Sequence, residues 1–203
     1  MRKRIYISAD YDIDSGDRNV VDELYKWGKD IRHVIDFVDM AEVVSGSVSS
    51  DPDCRPCDLK QEFNRQINAA SAVIVVIGDK TATRVSGSSC SRLNNIQSNV
   101  TCTPYKHNSG GTKLCKVVST CSPGPNDDVG NINKYSYIRH EFEQAKKKNK
   151  QIIVVYNSLY KELNWLPSYM KGYESLAVPF WTRDAVGRKV GNYSFIKREL
   201  GYE

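Results

Sequence analysis

The chain has no long apolar run. Its longest, Ala72–Ile77, is six residues, against the roughly 20 that a membrane-spanning helix needs, so neither a membrane span nor a membrane partner is expected. The basic start, Met1 to Arg4, leads only into Ile5, Tyr6 and Ile7 before the polar Ser8 and Asp10. A secretory signal needs about 7–15 apolar residues at that point, and the expected setting is the cytoplasm. No Gly-x-Gly-x-x-Gly follows the first apolar segment, and no Gly-x-x-x-x-Gly-Lys-Ser/Thr occurs anywhere. Rossmann-type cofactor tethering and P-loop phosphoryl transfer are therefore poor readings. No internal repeat is visible.

A strong excess of one charge is missing too. Lys and Arg number 29 and Asp and Glu 24, a net charge of +5. The densest cluster, Lys146, Lys147, Lys148 and Lys150, has no interleaved aromatics. It reads as the last turn of a solvated helix, where cations suit the macrodipole, and no nucleic-acid partner is expected. With 40% hydrophobic and 26% charged residues the chain is ordinary globular protein, neither disordered nor fibrous.

Cysteine is present, but in no strong pattern. Of the six, Cys54 and Cys57 form a single Cys-x-x-Cys, while 90, 102, 115 and 121 are separated by 11, 12 and 5 residues. A structural zinc site usually shows two tight pairs, and a thioredoxin-type motif opens a helix directly after a strand. This pair instead follows a Ser/Asp/Pro stretch, so plain thiols or occasional disulfides are the favoured reading, with no metal expected.

What is present is an alternation of two hydrophobic periods. Residues 4–8, 33–38, 71–78, 151–156 and 176–181 read as strands, the last placed at a sheet edge by Pro179. Residues 17–31 read as a helix with Val20, Val21, Leu24, Trp27 and Ile31 on one face. A second helix is expected from an Asp58 N-cap to residue 69, a third over 135–149 and a fourth over 193–200. The continuous apolar run at 72–77 calls for cover on both faces, as in a parallel sheet. The expected fold is a single α/β domain over 1–203, a five-stranded parallel flavodoxin-like sheet of order 2-1-3-4-5.

Two stretches stand apart. Residues 43–57 read as a loop rich in Ser, Asp, Pro and Gly. Residues 85–134 hold 27 Gly, Ser, Asn, Thr or Pro among 50 and four of the cysteines. That is too long for a loop in a compact domain, and it reads as an inserted element. Segments 99–103 and 113–118 are expected to pair as a hairpin within it.

In open parallel sheets ligands bind beyond the carboxyl ends of the strands, at the switch point. Strand 1 exits through Ser8, Ala9, Asp10 and Tyr11, and strand 3 through Gly78 to Thr81. After the insertion the chain returns at Tyr137-Ile-Arg-His-Glu141. Ile138, Phe142 and Ala145 make the buried face of that helix. Glu141 borders this face with Tyr137 four residues before it, while Glu143 lies nearly opposite and faces water. By spacing alone Glu141 and His140 read no more strongly than surface residues, and no Ser/His/Asp or Cys/His arrangement is indicated.

Taken together, Ile5-Tyr-Ile-Ser8, the Gly78-x-x-Thr81 strand exit, and Tyr137-x-x-x-Glu141 followed by Lys146-x-x-Asn149-Lys150-x-Ile152-Ile153 resemble the TIR-like domains of bacterial antiviral defence, the Thoeris TIR-like subunits. The likeness covers residues 3–84 and 135–157. It departs from the family's Trp-Val-x-x-Glu in carrying tyrosine at 137, and 85–134 has no counterpart in a minimal TIR domain. The resemblance implies an enzyme that breaks the nicotinamide–ribose bond of NAD+ as substrate, without a cofactor, and makes an ADP-ribose-derived signal, cyclic in some members. It implies Glu141 as the catalytic carboxylate and Ser8, Ala9, Asp10, Tyr11, Asp39, Thr81 and Tyr137 as substrate-binding positions. A nucleotide-sensing effector would answer the product, and self-association or a phage-derived trigger would activate the protein, with the 43–57 loop used for assembly and gating. Two alternatives stand beside it: a non-catalytic TIR-like scaffold, and an enzyme like the nucleoside deoxyribosyltransferases, which share the sheet and use a glutamate nucleophile.

Overall fold

The computed structural model describes residues 3–10, 15–30, 35–39, 55–85, 101–102, 113–114 and 136–202. Strands β1 (Lys3–Ser8), β2 (Ile35–Asp39) and β3 (Ala72–Ile77) alternate with helices α1 (Asp17–Gly28) and α2 (Arg55–Ala69). A short antiparallel pair follows, β4 (Thr101–Cys102) and β5 (Lys113–Leu114), then α3 (Tyr137–Lys147), β6 (Gln151–Tyr156) and the two-residue β7 (Val178–Pro179). The sheet is parallel throughout, in the order β2-β1-β3-β6-β7. This is the flavodoxin-like order read from the sequence.

All six residues of β3 are buried, and its β-branched side chains feed two cores. On one face Ile5, Ile7, Ile74 and Val76 pack with Val20, Val21 and Leu24 of α1 and with Ile196. On the other, Tyr6, Val73, Val75 and Ile77 pack with Phe63 and Ile67 of α2 and with Ile138, Phe142 and Ala145 of α3. At about 25 cal/mol per Å2 of apolar surface, this two-sided burial is the main force holding the layers together.

Several boundaries differ from expectation, among them the end of α1, which stops at Gly28 instead of residue 31. Helix α2 begins at Arg55, not after an Asp58 cap, because Pro56 suits a first turn, where its missing N–H has no partner to lose; residues 55–57 thus belong to the helix, not the loop. Helix α3 begins at Tyr137, where the Ser136 side chain accepts from the Arg139 amide at 3.1 Å. The final strand shrinks to Val178–Pro179, and Trp181 joins a separate antiparallel ribbon, β8 (Trp181–Arg183) and β9 (Lys189–Gly191), which periodicity did not signal. Asp184 organises its turn, accepting from the amides of Val186 and Arg188 at 3.0 and 2.9 Å. Helix α4 (Tyr193–Glu199) closes the chain with an Asn192 cap.

The expected hairpin in the insertion is represented by the pairing of Thr101 with Leu114 and Cys102 with Lys113. The rest of 86–135 and the 43–54 segment lie outside the described residues. Among the described residues no helix is long and apolar enough to cross a membrane.

Candidate active site

Strand β1 lies second in the sheet, between β2 and β3, and to either side of it the chain winds in opposite directions, which places the switch point between β1 and β3. Side chains alternate along a strand, so Tyr6 and Ser8 share the face that α2 and α3 cover. Helix α3 lays Glu141 against them. The Tyr6 hydroxyl donates to Glu141 Oε1 at 2.6 Å, and the Ser8 hydroxyl donates to Oε2. All three side chains are buried, Glu141 being 1% exposed.

A carboxylate in that position is poised between opposing effects. Burial raises the Glu141 pKa, the Ser8 and Tyr6 hydroxyls lower it by bonding the anion, and the Asp39 charge raises it again. The net result is a carboxyl pushed from 4.5 up to about 7. A group tuned to the working pH, at the carboxyl end of a parallel sheet, is what acid–base or charge-stabilising chemistry requires.

The remaining expected positions fall into distinct roles. Asp39 ends β2 beside Ile7 of β1. It is buried, accepts from Arg18 Nη1 at 3.4 Å, and its amide donates to the Tyr25 hydroxyl at 3.0 Å. Ala9 is buried just after β1, and the carboxylate of half-buried Asp10 pairs with Arg84 beyond β3. Thr81 turns inward, its hydroxyl accepting from the Gly78 amide at 2.8 Å, so that it shapes the β3 exit. Tyr137 stands edge-on to Phe63, ring centroids 5.7 Å apart. Tyr11 lies outside the described residues. Glu141 and Ser8 are thus brought together at the strand ends, Asp39 lies on the α1 face with Arg18 and Tyr25 and reaches Glu141 through its charge alone, and Thr81 serves the turn beside them.

Three residues carry more than their spacing showed. Tyr6 reads as plain strand core, though a phenol among isoleucines two residues before Ser8 is the available clue. His140 is buried, not a surface residue; its Nε2 lies 2.8 Å from Asn64 Oδ1. Burial, with help from the Lys60 charge, lowers its pKa to about 3, so it is neutral. Asp17, read as the start of a helix, is fully buried under the β3 exit, and its Oδ1 accepts from Asn157 Nδ2 at 2.9 Å. Among the described residues no three His, Cys, Asp or Glu side chains lie together as metal ligands.

No family model matches the chain, and no curated protein matches it.

Proposed function

We propose that the protein is a TIR-like enzyme of the bacterial cytoplasm that cleaves the nicotinamide–ribose bond of NAD+ and makes an ADP-ribose-derived signal in antiphage defence, read by a nucleotide-sensing effector. The observation that carries this reading is the buried Glu141 carboxylate, held by Tyr6 and Ser8 at the switch point of a parallel sheet. When the glycosidic C–N bond breaks, its electron pair leaves with the nicotinamide nitrogen, and positive charge develops on the ribose. An anionic Glu141 beside the ribose stabilises that charge. Water then captures the ribose carbon and releases a proton, giving free ADP-ribose; capture by a nucleophile of the same molecule gives a cyclic product. Because the anion is the working form, activity rises with pH through the Glu141 midpoint of about 7.

The test is incubation of the full chain with NAD+ and, separately, with deoxynucleosides, followed by chromatography of the released base. Nicotinamide release by the wild type, falling about 10²–10³-fold in Glu141→Gln, supports the proposal. Release from deoxynucleosides alone replaces it with the deoxyribosyltransferase-like reaction. No release from either substrate leaves the scaffold.

A further inference from the structure

The two bonds to Glu141 are not equivalent. Tyr6 and Ser8 lie on one face of β1 two residues apart, which is about 6.6 Å along a strand. Tyr6 sits in mid-strand, packed in the core with Phe63, Val73 and Phe142. Ser8 is the last residue of the strand, where the chain leaves the sheet and where ligands of such sheets bind. The Tyr6 hydroxyl therefore holds Oε1 on the core side, and the Ser8 hydroxyl meets Oε2 on the strand-end side.

We propose that Tyr6 and Ser8 are positioning residues that divide the Glu141 carboxylate into an anchored oxygen, Oε1, fixed by the phenol from within the sheet, and a working oxygen, Oε2, shared between Ser8 and the bound sugar. The proposal rests on the NAD+-cleaving reading for the identity of the sugar, but the anchoring itself does not. A carboxylate with one oxygen fixed has a defined plane, so its second oxygen is aimed before substrate arrives, and the orientation is not purchased during the reaction. Ser8 has the chemistry of a ribose hydroxyl. It keeps Oε2 hydrogen-bonded in the free protein and gives way, wholly or in part, to the diol of the substrate.

The division predicts unequal consequences. The groups acting on Glu141 are Tyr6 and Ser8 of β1 and the Asp39 charge at the end of β2, and Tyr169, before β7, is close enough to feel the Glu141 charge. Tyr6→Phe removes the hydroxyl that bonds Oε1 from within the core layer. Ser8→Ala removes one at the strand end, where the diol of a bound sugar takes its place. The experiment is a titration of the full chain labelled with carboxyl ¹³C-glutamate, the Glu141 signal being assigned by its loss in Glu141→Gln.

The expected result in the free protein is an upward shift of the Glu141 midpoint by about 1–2 pH units in Tyr6→Phe and in Ser8→Ala alike, since each removes a hydroxyl that holds it down. Saturating ADP-ribose, whose diol can take the place of the Ser8 hydroxyl, should reverse the shift in Ser8→Ala only. Steady-state kinetics should show kcat about tenfold lower or more in Tyr6→Phe, with KM within about threefold. Ser8→Ala should chiefly raise KM, and Ser8→Thr should restore it. A folded Tyr6→Phe with an unmoved titration overturns the anchoring, and a Ser8→Ala shift that ADP-ribose leaves in place overturns the division. If Tyr6→Phe does not fold, Ser8→Ala decides alone: a shift that ADP-ribose reverses supports the proposal and one that it leaves in place defeats it. A wild type that releases no nicotinamide, with titrations shifted as expected, overturns the NAD+ reading while the anchoring stands.

Discussion

Each face of the sheet buries, near the strand ends, a carboxyl whose pKa burial raises, and the two are electrostatically alike. Glu141 on the α3 face and Asp17 on the α1 face are both pushed up to about 7, in each case chiefly by burial. Their surroundings differ. Glu141 has a hydroxyl on each oxygen, one from mid-strand and one from the strand end. Asp17 is clamped from both sides. Asn157 donates to Oδ1, and the Asn157 amide group in turn accepts from Trp181 Nε1 at 2.8 Å, while Oδ2 makes no hydrogen bond to the described residues. Gly78 lies directly over Asp17, so close that a Cβ there would stand 2.5 Å from Oδ1. A raised pKa thus marks two buried acids, and their partners tell them apart: two strand hydroxyls on Glu141, an amide and the backbone of Gly78 over Asp17.

The comparison breaks most visibly in activity. Glu141→Gln should lower nicotinamide release about 10²–10³-fold, whereas Asp17→Asn, isosteric and still able to face Asn157, should stay within about fivefold of wild type. Equal losses in the two variants would mean that the sealed acid shares the chemistry.

Stability against pH should treat the two acids alike. In the folded chain each keeps its proton to about 7, while the unfolded chain gives it up near 4.5 for Glu141 and 3.8 for Asp17. Between those values the folded state binds more protons, so stability falls as pH rises from about 4 to about 7. Glu141→Gln and Asp17→Asn should each remove a part of that fall on the order of 3 kcal/mol. His140 acts with the opposite sign, because its folded pKa of about 3 lies below the ordinary 6.5. Its contribution is lost as the medium becomes acid, and His140→Gln should flatten that limb. Urea unfolding at half-unit steps from pH 4 to 8 measures all three.

Much of this architecture was legible in the sequence. The uninterrupted apolar run at 72–77 forces a strand covered on both faces, and its neighbours at 4–8 and 151–156 carry the same signature. The order of the sheet and the edge position of Pro179 follow from that. The position of Glu141 was legible as well, since Ile138, Phe142 and Ala145 fix the buried stripe beside it. Its depth was not: helical spacing gives the angle of a side chain but not whether a neighbouring strand supplies hydroxyls to receive it. Tyr6, Asp17 and Asn157 were missed for the same reason, because their partners lie 135 or 140 residues away in the chain. The β8–β9 ribbon was missed because three-residue strands are too short for period 2 to show.

Closer to the backbone, Gly78 sharpens the picture of Asp17 as a sealed group. Gly78→Ala forces a methyl against the carboxyl and should cost about 1–3 kcal/mol. In an Asp17→Ala background the obstacle is gone, and the same substitution should cost far less. Chemical denaturation of the four chains in this double-mutant cycle gives the coupling directly. Additive losses would mean that the alanine at 78 strains its own backbone and that Asp17 is not what excludes it.

The smallest effect separates a turn residue from a ligand contact. The resemblance sets Thr81 among the substrate-binding positions, yet its buried hydroxyl accepts from the Gly78 amide at 2.8 Å, and the Thr81 amide donates back to the Gly78 carbonyl at 3.2 Å. That reciprocal pair closes the β3 exit, which lies over Asp17 and beside β1. Thr81→Val keeps the shape and removes the acceptor, leaving a buried N–H unmatched, at a cost of about 1 kcal/mol. Thr81→Ser keeps the acceptor and should cost less. If the hydroxyl serves the turn alone, KM for NAD+ should stay within about twofold in both variants while the thermal midpoint falls only in Thr81→Val. A KM that rises in Thr81→Val but not in Thr81→Ser, with the midpoint unchanged, would instead place the hydroxyl on the substrate and return Thr81 to the binding surface.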